Sequence, residues 1–187
     1  KVDMLVLRFL IDDNTTLPAD YIRDIKKEYT GVYYERFILG NWVAAEGVIY
    51  PQFADNPARY IINTPPDDLI FVSIGGDFGG NGSAHTLNAT GFTVGFKYIV
   101  TLDEYYRKET ISPYQLEDDF CNFIEGVCSR YKCTEVYLDS AEQILIKGVK
   151  LAAQRRGLRV NIHNARKSDI NKRIIFYNRL IAAGRYK

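Results

Sequence analysis

Two aspartates stand where side chains of their type do chemistry. Asp77 follows the apolar run Leu69-Ile70-Phe71-Val72-Ser73-Ile74 and lies within the glycine-rich stretch Gly75-Gly76-Asp77-Phe78-Gly79-Gly80, while Asp139 ends the run Glu135-Val136-Tyr137-Leu138. In an open α/β sheet, ligands collect where strands end near a reversal of strand order. If the two runs are neighbouring strands, the carboxylates converge, and their repulsion becomes affinity for a hard divalent cation. Mg2+ is content with one or two carboxylates plus phosphate and water, and two such ions about 4 Å apart can serve phosphodiester hydrolysis. Gly75, Gly76, Gly79 and Gly80 would let a bulky duplex backbone approach. A plainer reading fits the same residues: Asp77 as a turn residue and Asp139 as an acid preceding the next helix. Spacing leaves both open.

Charge is unevenly spread. The net charge is +1, yet residues 140–187 hold twelve Lys and Arg against Glu142 and Asp169, a net +10, and the residues before them carry −9. A basic block on an acid-rich body suits a polyanionic partner; it equally describes two solvated faces that neutralise each other. Arg155, Arg156, Arg159, Arg166, Lys167, Lys172 and Arg173 could flank a sheet edge and hold a phosphate backbone, with Arg166, Lys167, Lys172 and Arg173 the chosen candidates. His85 and His163 are isolated and read as structural. Cys121, Cys128 and Cys133 form an odd set without a CxxC pair, which argues against a disulfide framework or a zinc site and suits a reducing cytosol. Hydrophobic residues make up 47% and charged ones 25%, as in an ordinary globular protein. No apolar run approaches the roughly 20 residues that span a bilayer, and no secretory signal is expected at the start.

The elements that must position the aspartates follow from periodicity. The spacing predicts a buried strand from Leu69, a second over Thr86–Thr93 and a third over Tyr98–Arg107, joined by Gly82 and Gly95 into an antiparallel meander. Ser112-Pro113-Tyr114-Gln115 is a helix start with cap, proline and capping box, and Glu117, Asp118 and Asp119 suit its positive dipole end. Glu135–Leu138 is the fourth strand. Ser140 to Gln143 repeats the capping-box pattern, Arg159–His163 is a fifth strand, and a last helix starts near Ser168 and closes at Gly184. That order is α/β: one mixed sheet, a three-strand antiparallel meander plus two further strands, with helices on both faces. Upstream, Leu17-Pro18 begins a helix with Gly31 as its stop, and Asn63-Thr64-Pro65-Pro66-Asp67-Asp68 is a turn-rich linker.

Several stretches together resemble one family. Gly31-Val32-Tyr33-Tyr34-Glu35-Arg36-Phe37-Ile38-Leu39-Gly40-Asn41-Trp42, running on to Gly47-Val48-Ile49-Tyr50-Pro51-Gln52-Phe53, resembles the segment joining the motor ATPase and nuclease domains of bacteriophage terminase large subunits. Ile74-Gly75-Gly76-Asp77-Phe78-Gly79 resembles their first nuclease motif, Tyr137-Leu138-Asp139-Ser140-Ala141-Glu142 their second, and Leu102-Asp103-Glu104-Tyr105-Tyr106 a pattern on the third strand. The resemblance implies a ribonuclease-H-like mixed sheet flanked by helices, with 1–66 a linker from the end of the ATPase domain and 67–187 a nuclease domain truncated at its C-terminus. It implies an endonuclease cutting concatemeric viral double-stranded DNA with two Mg2+ or Mn2+ ions on Asp77 and Asp139, with Glu142 beside them to orient water or simply to sit in a first helical turn. It further implies the portal protein, the terminase small subunit and the motor ATPase as partners, in the host bacterial cytoplasm at the procapsid portal. A third, late acidic ligand is expected after Lys187. No GxxxxGK[ST] occurs, so no ATPase activity is expected of this piece. The alternatives are a junction resolvase of the same fold and a catalytically incomplete module that docks on DNA or portal.

Overall fold

The computed structural model describes residues 9–41, 48–79 and 82–187, so Trp42 to Gly47 of the linker motif and Gly80 lie outside the described residues. The chain divides into two compact units, one comprising Ile62–Lys167 with Lys187, the other residues up to Ile61 with Ser168–Tyr186.

The first unit is a five-stranded mixed sheet with β1 (Leu69–Asp77), β2 (His85–Thr93), β3 (Ile99–Arg107), β4 (Cys133–Leu138) and β5 (Asn161–Asn164) in the order β3-β2-β1-β4-β5. The meander pairs antiparallel, and β1 pairs parallel with β4, as β4 does with β5. Alternate strand residues therefore point to opposite faces. One face supplies Val72, Ile74, Leu87, Ala89, Val136 and Leu138 to a core closed by Leu116, Phe120, Ile124 and Val127 of α4 (Pro113–Arg130) and Ile146 and Val149 of α5 (Gln143–Arg155). Both helices of this unit lie on that one face. The physical reason is handedness. The crossovers β3-α4-β4 and β4-α5-β5 run the same way across the sheet, and right-handed crossovers that run the same way place their helices on the same side.

α4 starts as its residues dictate, with Ser112 Oγ accepting from the Gln115 N–H at 3.2 Å and Pro113 at the first position. Glu117, Asp118 and Asp119 fall beyond its first turn, and their role is pairing rather than the dipole. Arg155 lies 3.6 Å from Glu117, Arg156 binds Asp118, and Asp119 receives Arg107 and the Tyr105 hydroxyl, each at 2.7 Å. The third-strand pattern joins the same interface, since Asp103 pairs with Arg130 near the end of α4.

In the second unit, α1 (Ala19–Glu28) ends before extended Tyr29, and Gly31, expected as its stop, instead opens α2 (Gly31–Phe37) at φ +56°. A short α3 (Pro51–Asp55) follows. Asp169 caps α6 (Ile170–Ala182), which buries Asn178, Leu180 and Ile181, and Gly184 follows it at φ +66°. Among the described residues no helix is long and apolar enough to cross a membrane.

Candidate metal centre

The two aspartates meet. Gly76 is in register with Leu138, and the Asp139 N–H extends the ladder by one step, donating to the Gly76 carbonyl at 3.0 Å. Asp77 is thereby the parallel neighbour of Asp139. Val136 and Leu138 point into the core, so Asp139 points to the opposite, open face, where β1 also presents Asp77. β1 continues away towards β2, and β4 towards β5, so the pair sits at the C-terminal ends of two parallel strands whose connections depart in opposite directions.

The carboxyls are close enough to share a proton. Partial burial, then the bond to Asp139 and that residue's charge, push the Asp77 carboxyl above the usual range. The Lys167 ammonium, first, and the Ala141 N–H hold Asp139 below it. Of the pair, Asp77 is therefore the first to take up a proton as pH falls, and Asp139 the one that stays ionised longer. Lys167 Nζ lies 2.8 Å from Asp139 Oδ1, so one of the four residues chosen for DNA contact already neutralises the site. Arg166 beside it is exposed; Lys172 and Arg173 are exposed on α6, in the other unit. Arg155 and Arg156 are committed to α4 acids instead of standing free for a phosphate backbone.

The turn after Asp139 corrects one expectation. Ser140 to Gln143 does not form a capping box: the Asp139 carboxylate accepts from the Ala141 N–H at 3.1 Å, and Ser140 offers its carbonyl to Gln143 Nε2 at 2.6 Å. The aspartate's own turn thus delays the helix to Gln143. Glu142 is its exposed N-cap residue and makes no hydrogen bond or ion pair with either aspartate.

The glycines divide. A Cβ on Gly76 would stand 2.5 Å from Leu87 Cδ2 and 2.7 Å from Leu138 Cδ2, and one on Gly79 would run into the backbone of Ser83 and Ala84. Both are demanded by internal packing, which corrects their reading as clearance for a duplex. Among the described glycines of this stretch, Gly75 alone opens outward, its Cβ meeting nothing within 4 Å. His85 is structural as expected, its Nδ1 accepting from the Gly79 N–H at 3.0 Å and pinning the turn after Asp77. His163 is more than that. Its ring stacks on Tyr137 at 5.2 Å and its Nε2 binds Glu135 Oε2 at 2.7 Å, while Asn161 holds the other Glu135 oxygen at 2.9 Å. Sequence reasoning missed this cluster, although the alternation Glu135, Tyr137, Asp139 already placed three polar side chains on one face. Among the described residues no group of three or more His, Cys, Asp and Glu converges as a metal cage.

No protein-family model matches the sequence, and no curated protein does. Among solved structures, the large terminase of a thermophilic bacteriophage aligns at TM-score 0.70 and 23% identity, covering 96% of this chain and 43% of that one. The same terminase in complex with ATP-γ-S aligns at 0.69, with 23% identity and the same coverage. The large terminase nuclease domain of bacteriophage SPP1, solved with bound Mn, overlaps in part, at TM-score 0.39 and 21% identity over 54% of this chain and 50% of that one. The chain spans less than half the length of the thermophilic phage's terminase. The likeness is one of fold: a mixed α/β sheet shared with a phage large terminase over nearly the whole of this chain.

Proposed function

We propose that this chain is the nuclease region of a phage large terminase subunit, a metal-dependent endonuclease that cuts concatemeric viral double-stranded DNA during genome packaging. The observation that carries the proposal is the convergence of Asp77 and Asp139 on one open face of this sheet, at the ends of parallel β1 and β4. In this reading residues 1–66 connect to a motor ATPase domain of the same polypeptide and 67–187 form the nuclease domain. The portal protein and terminase small subunit are its partners, at the procapsid portal in the host bacterial cytoplasm.

The donor set suits Mg2+ or Mn2+. Both groups are hard oxygen donors; desolvation and the neighbouring carboxylate make Asp77 reluctant to ionise, and Asp139 already draws a lysine ammonium to 2.8 Å, so the pair is short of positive charge. Asp77 and Asp139 would hold the metal, two ions in the full reading, and bound metal supplies Lewis acidity and charge for phosphodiester hydrolysis. The chain's own residues do the rest. With a cation in place both Asp77 and Asp139 would be held ionised as its ligands, Lys167 would be free to turn from Asp139 towards the DNA backbone, and Glu142 at the head of α5 would orient water. Arg166, with Lys172 and Arg173 of α6, contributes sequence-independent phosphate contacts that weaken with salt.

Plasmid cleavage in Mn2+ by the wild type, Asp77→Asn and Asp139→Asn tests the proposal. Each substitution should reduce cutting by about 10^3-fold or more, equivalent to about 4 kcal/mol on the barrier. Cutting at the wild-type rate in both variants would remove the pair from the mechanism.

A further inference from the structure

Strand register sorts the open face into rows. Thr86, Asp77 and Asp139 form the row of the carboxylates; the row behind it is Asn88 of β2, Gly75 of β1, Tyr137 of β4 and His163 of β5. Successive same-face rows are about 6.6–6.8 Å apart along a strand. The second row has an unusual profile. Its floor at Gly75 carries no side chain, and nothing internal requires that: the backbone is not left-handed and a Cβ would meet nothing within 4 Å. Gly76, one residue on, is a glycine because the core leaves no room; Gly75 merely keeps space clear.

One wall of that space is built. Tyr137 is 41% exposed, and its hydroxyl has no hydrogen-bond partner among the described residues. Its ring is fixed against His163, which Glu135 holds through Nε2, and Asn161 fixes Glu135 in turn. Three polar residues thus orient an exposed tyrosine whose hydroxyl bonds nothing among the described residues. An exposed hydroxyl donor on the strand beside a side-chain-free floor, one row from a carboxylate pair, matches the backbone of a nucleic-acid strand whose reacting phosphate lies at that pair. Neighbouring phosphates on one strand are spaced similarly to neighbouring rows, on the order of 6–7 Å, as against the 3.4 Å per-nucleotide rise along the duplex axis.

We propose that Gly75 and Tyr137 form a second subsite that takes the sugar–phosphate unit next to the one being cut, with the Tyr137 hydroxyl donating to its phosphate oxygen and His163 acting as the positioning residue for the ring. The subsite rests on the nuclease reading, and the experiment separates the two. Binding of a fluorescein-labelled duplex is measured by anisotropy in Ca2+, cleavage in Mn2+, Mn2+ uptake by calorimetry and folding by thermal melting. Variants are Tyr137→Phe, Gly75→Ala, Gly75→Val, His163→Ala and His163→Phe. Tyr137→Phe should weaken duplex binding about tenfold, as for a lost bond to a charged group, and raise KM with little change in kcat. Gly75→Ala and then Gly75→Val should weaken it progressively while melting stays at or above the wild-type temperature. His163→Ala should behave like Tyr137→Phe, and His163→Phe, which keeps the stacked face, should restore binding. Mn2+ uptake should be unchanged throughout. If the wild type cuts DNA while Tyr137→Phe and Gly75→Val bind and cut as it does, the subsite is wrong and the nuclease stands. If the wild type takes up no Mn2+ and retains no duplex, the nuclease reading fails and the subsite falls with it.

Discussion

The two faces of the five-stranded sheet come from the same strands, residue by alternate residue, yet they obey different rules. On the core face every position is set by volume. Phe120 of α4 is fully buried between Phe78, stacked at 5.3 Å, and Tyr105, edge-on at 5.8 Å, and Gly76 exists because Leu87 and Leu138 fill the space above it. At the carboxylate end of the open face packing demands little: Asp77, Asp139, His163 and Glu135 are tied by charge and hydrogen bonds, and Tyr137 by its stack on His163. Adjacent glycines state the contrast most directly: a methyl group added to Gly76 collides, and one added to Gly75 does not. Stability resides on one face and, in our proposal, chemistry on the other.

That contrast can be broken at several points. Truncating Phe120→Ala should cost about 3–5 kcal/mol of unfolding free energy in urea, because the buried ring leaves a cavity between two aromatic neighbours; a loss under about 1 kcal/mol would mean the core face tolerates voids. Gly76→Ala should cost about 1–3 kcal/mol by overpacking, while Gly75→Ala should be neutral or gain up to about 1 kcal/mol from strand propensity. Equal costs at the two sites would erase the distinction between the faces.

Smaller effects test the electrostatics. Arg156→Met removes a side chain that bonds Asp118 and Asn122 at the α4–α5 interface; for so exposed an ion pair the loss should be about 0–1 kcal/mol and should shrink in roughly 1 M salt. Asp77→Asn should shift stability least, and in the opposite direction. The folded state holds the Asp77 carboxyl above its ordinary value, so its ionised form disfavours folding. That cost is absent well below the ordinary carboxylate range, grows as pH rises through the raised value and is constant above it. The variant should therefore be the more stable protein at about pH 7 and lose that advantage near about pH 3, as read from urea midpoints; an advantage that grows in acid would show that the fold does not raise the Asp77 carboxyl.

Much of the sheet was legible because its strands are long and punctuated. The run from Leu69 to Ile74, the glycine turns and the cap at Ser112 each carry a local signal, and β1, β2, β3 and α4 form within a few residues of where those signals lie. The last helix was legible at its ends, near Ser168 and at Gly184, but the face it buries was not: Ile170 is 55% exposed, and Asn178 and Leu180 are inside. Periodicity marks an apolar stripe without saying what will cover it. The turn at Ser140 was misread for a related reason. Asp139 competes for the backbone with its own side chain, and which hydrogen bond wins depends on the strand that has just ended.

Local chemistry alone settled that two strand-ending aspartates exist, that one stands among glycines, and that basic residues gather towards the end of the chain, because residue type and short-range periodicity need no partner. Tertiary structure decided that β1 and β4 are neighbours, which brings together carboxylates some sixty residues apart. It decided which glycine is forced and which leaves space, which arginines are consumed by α4, and that His163 braces Tyr137. Those are long-range facts: they follow from strand order, register and right-handed crossovers, quantities that no window of adjacent residues encodes.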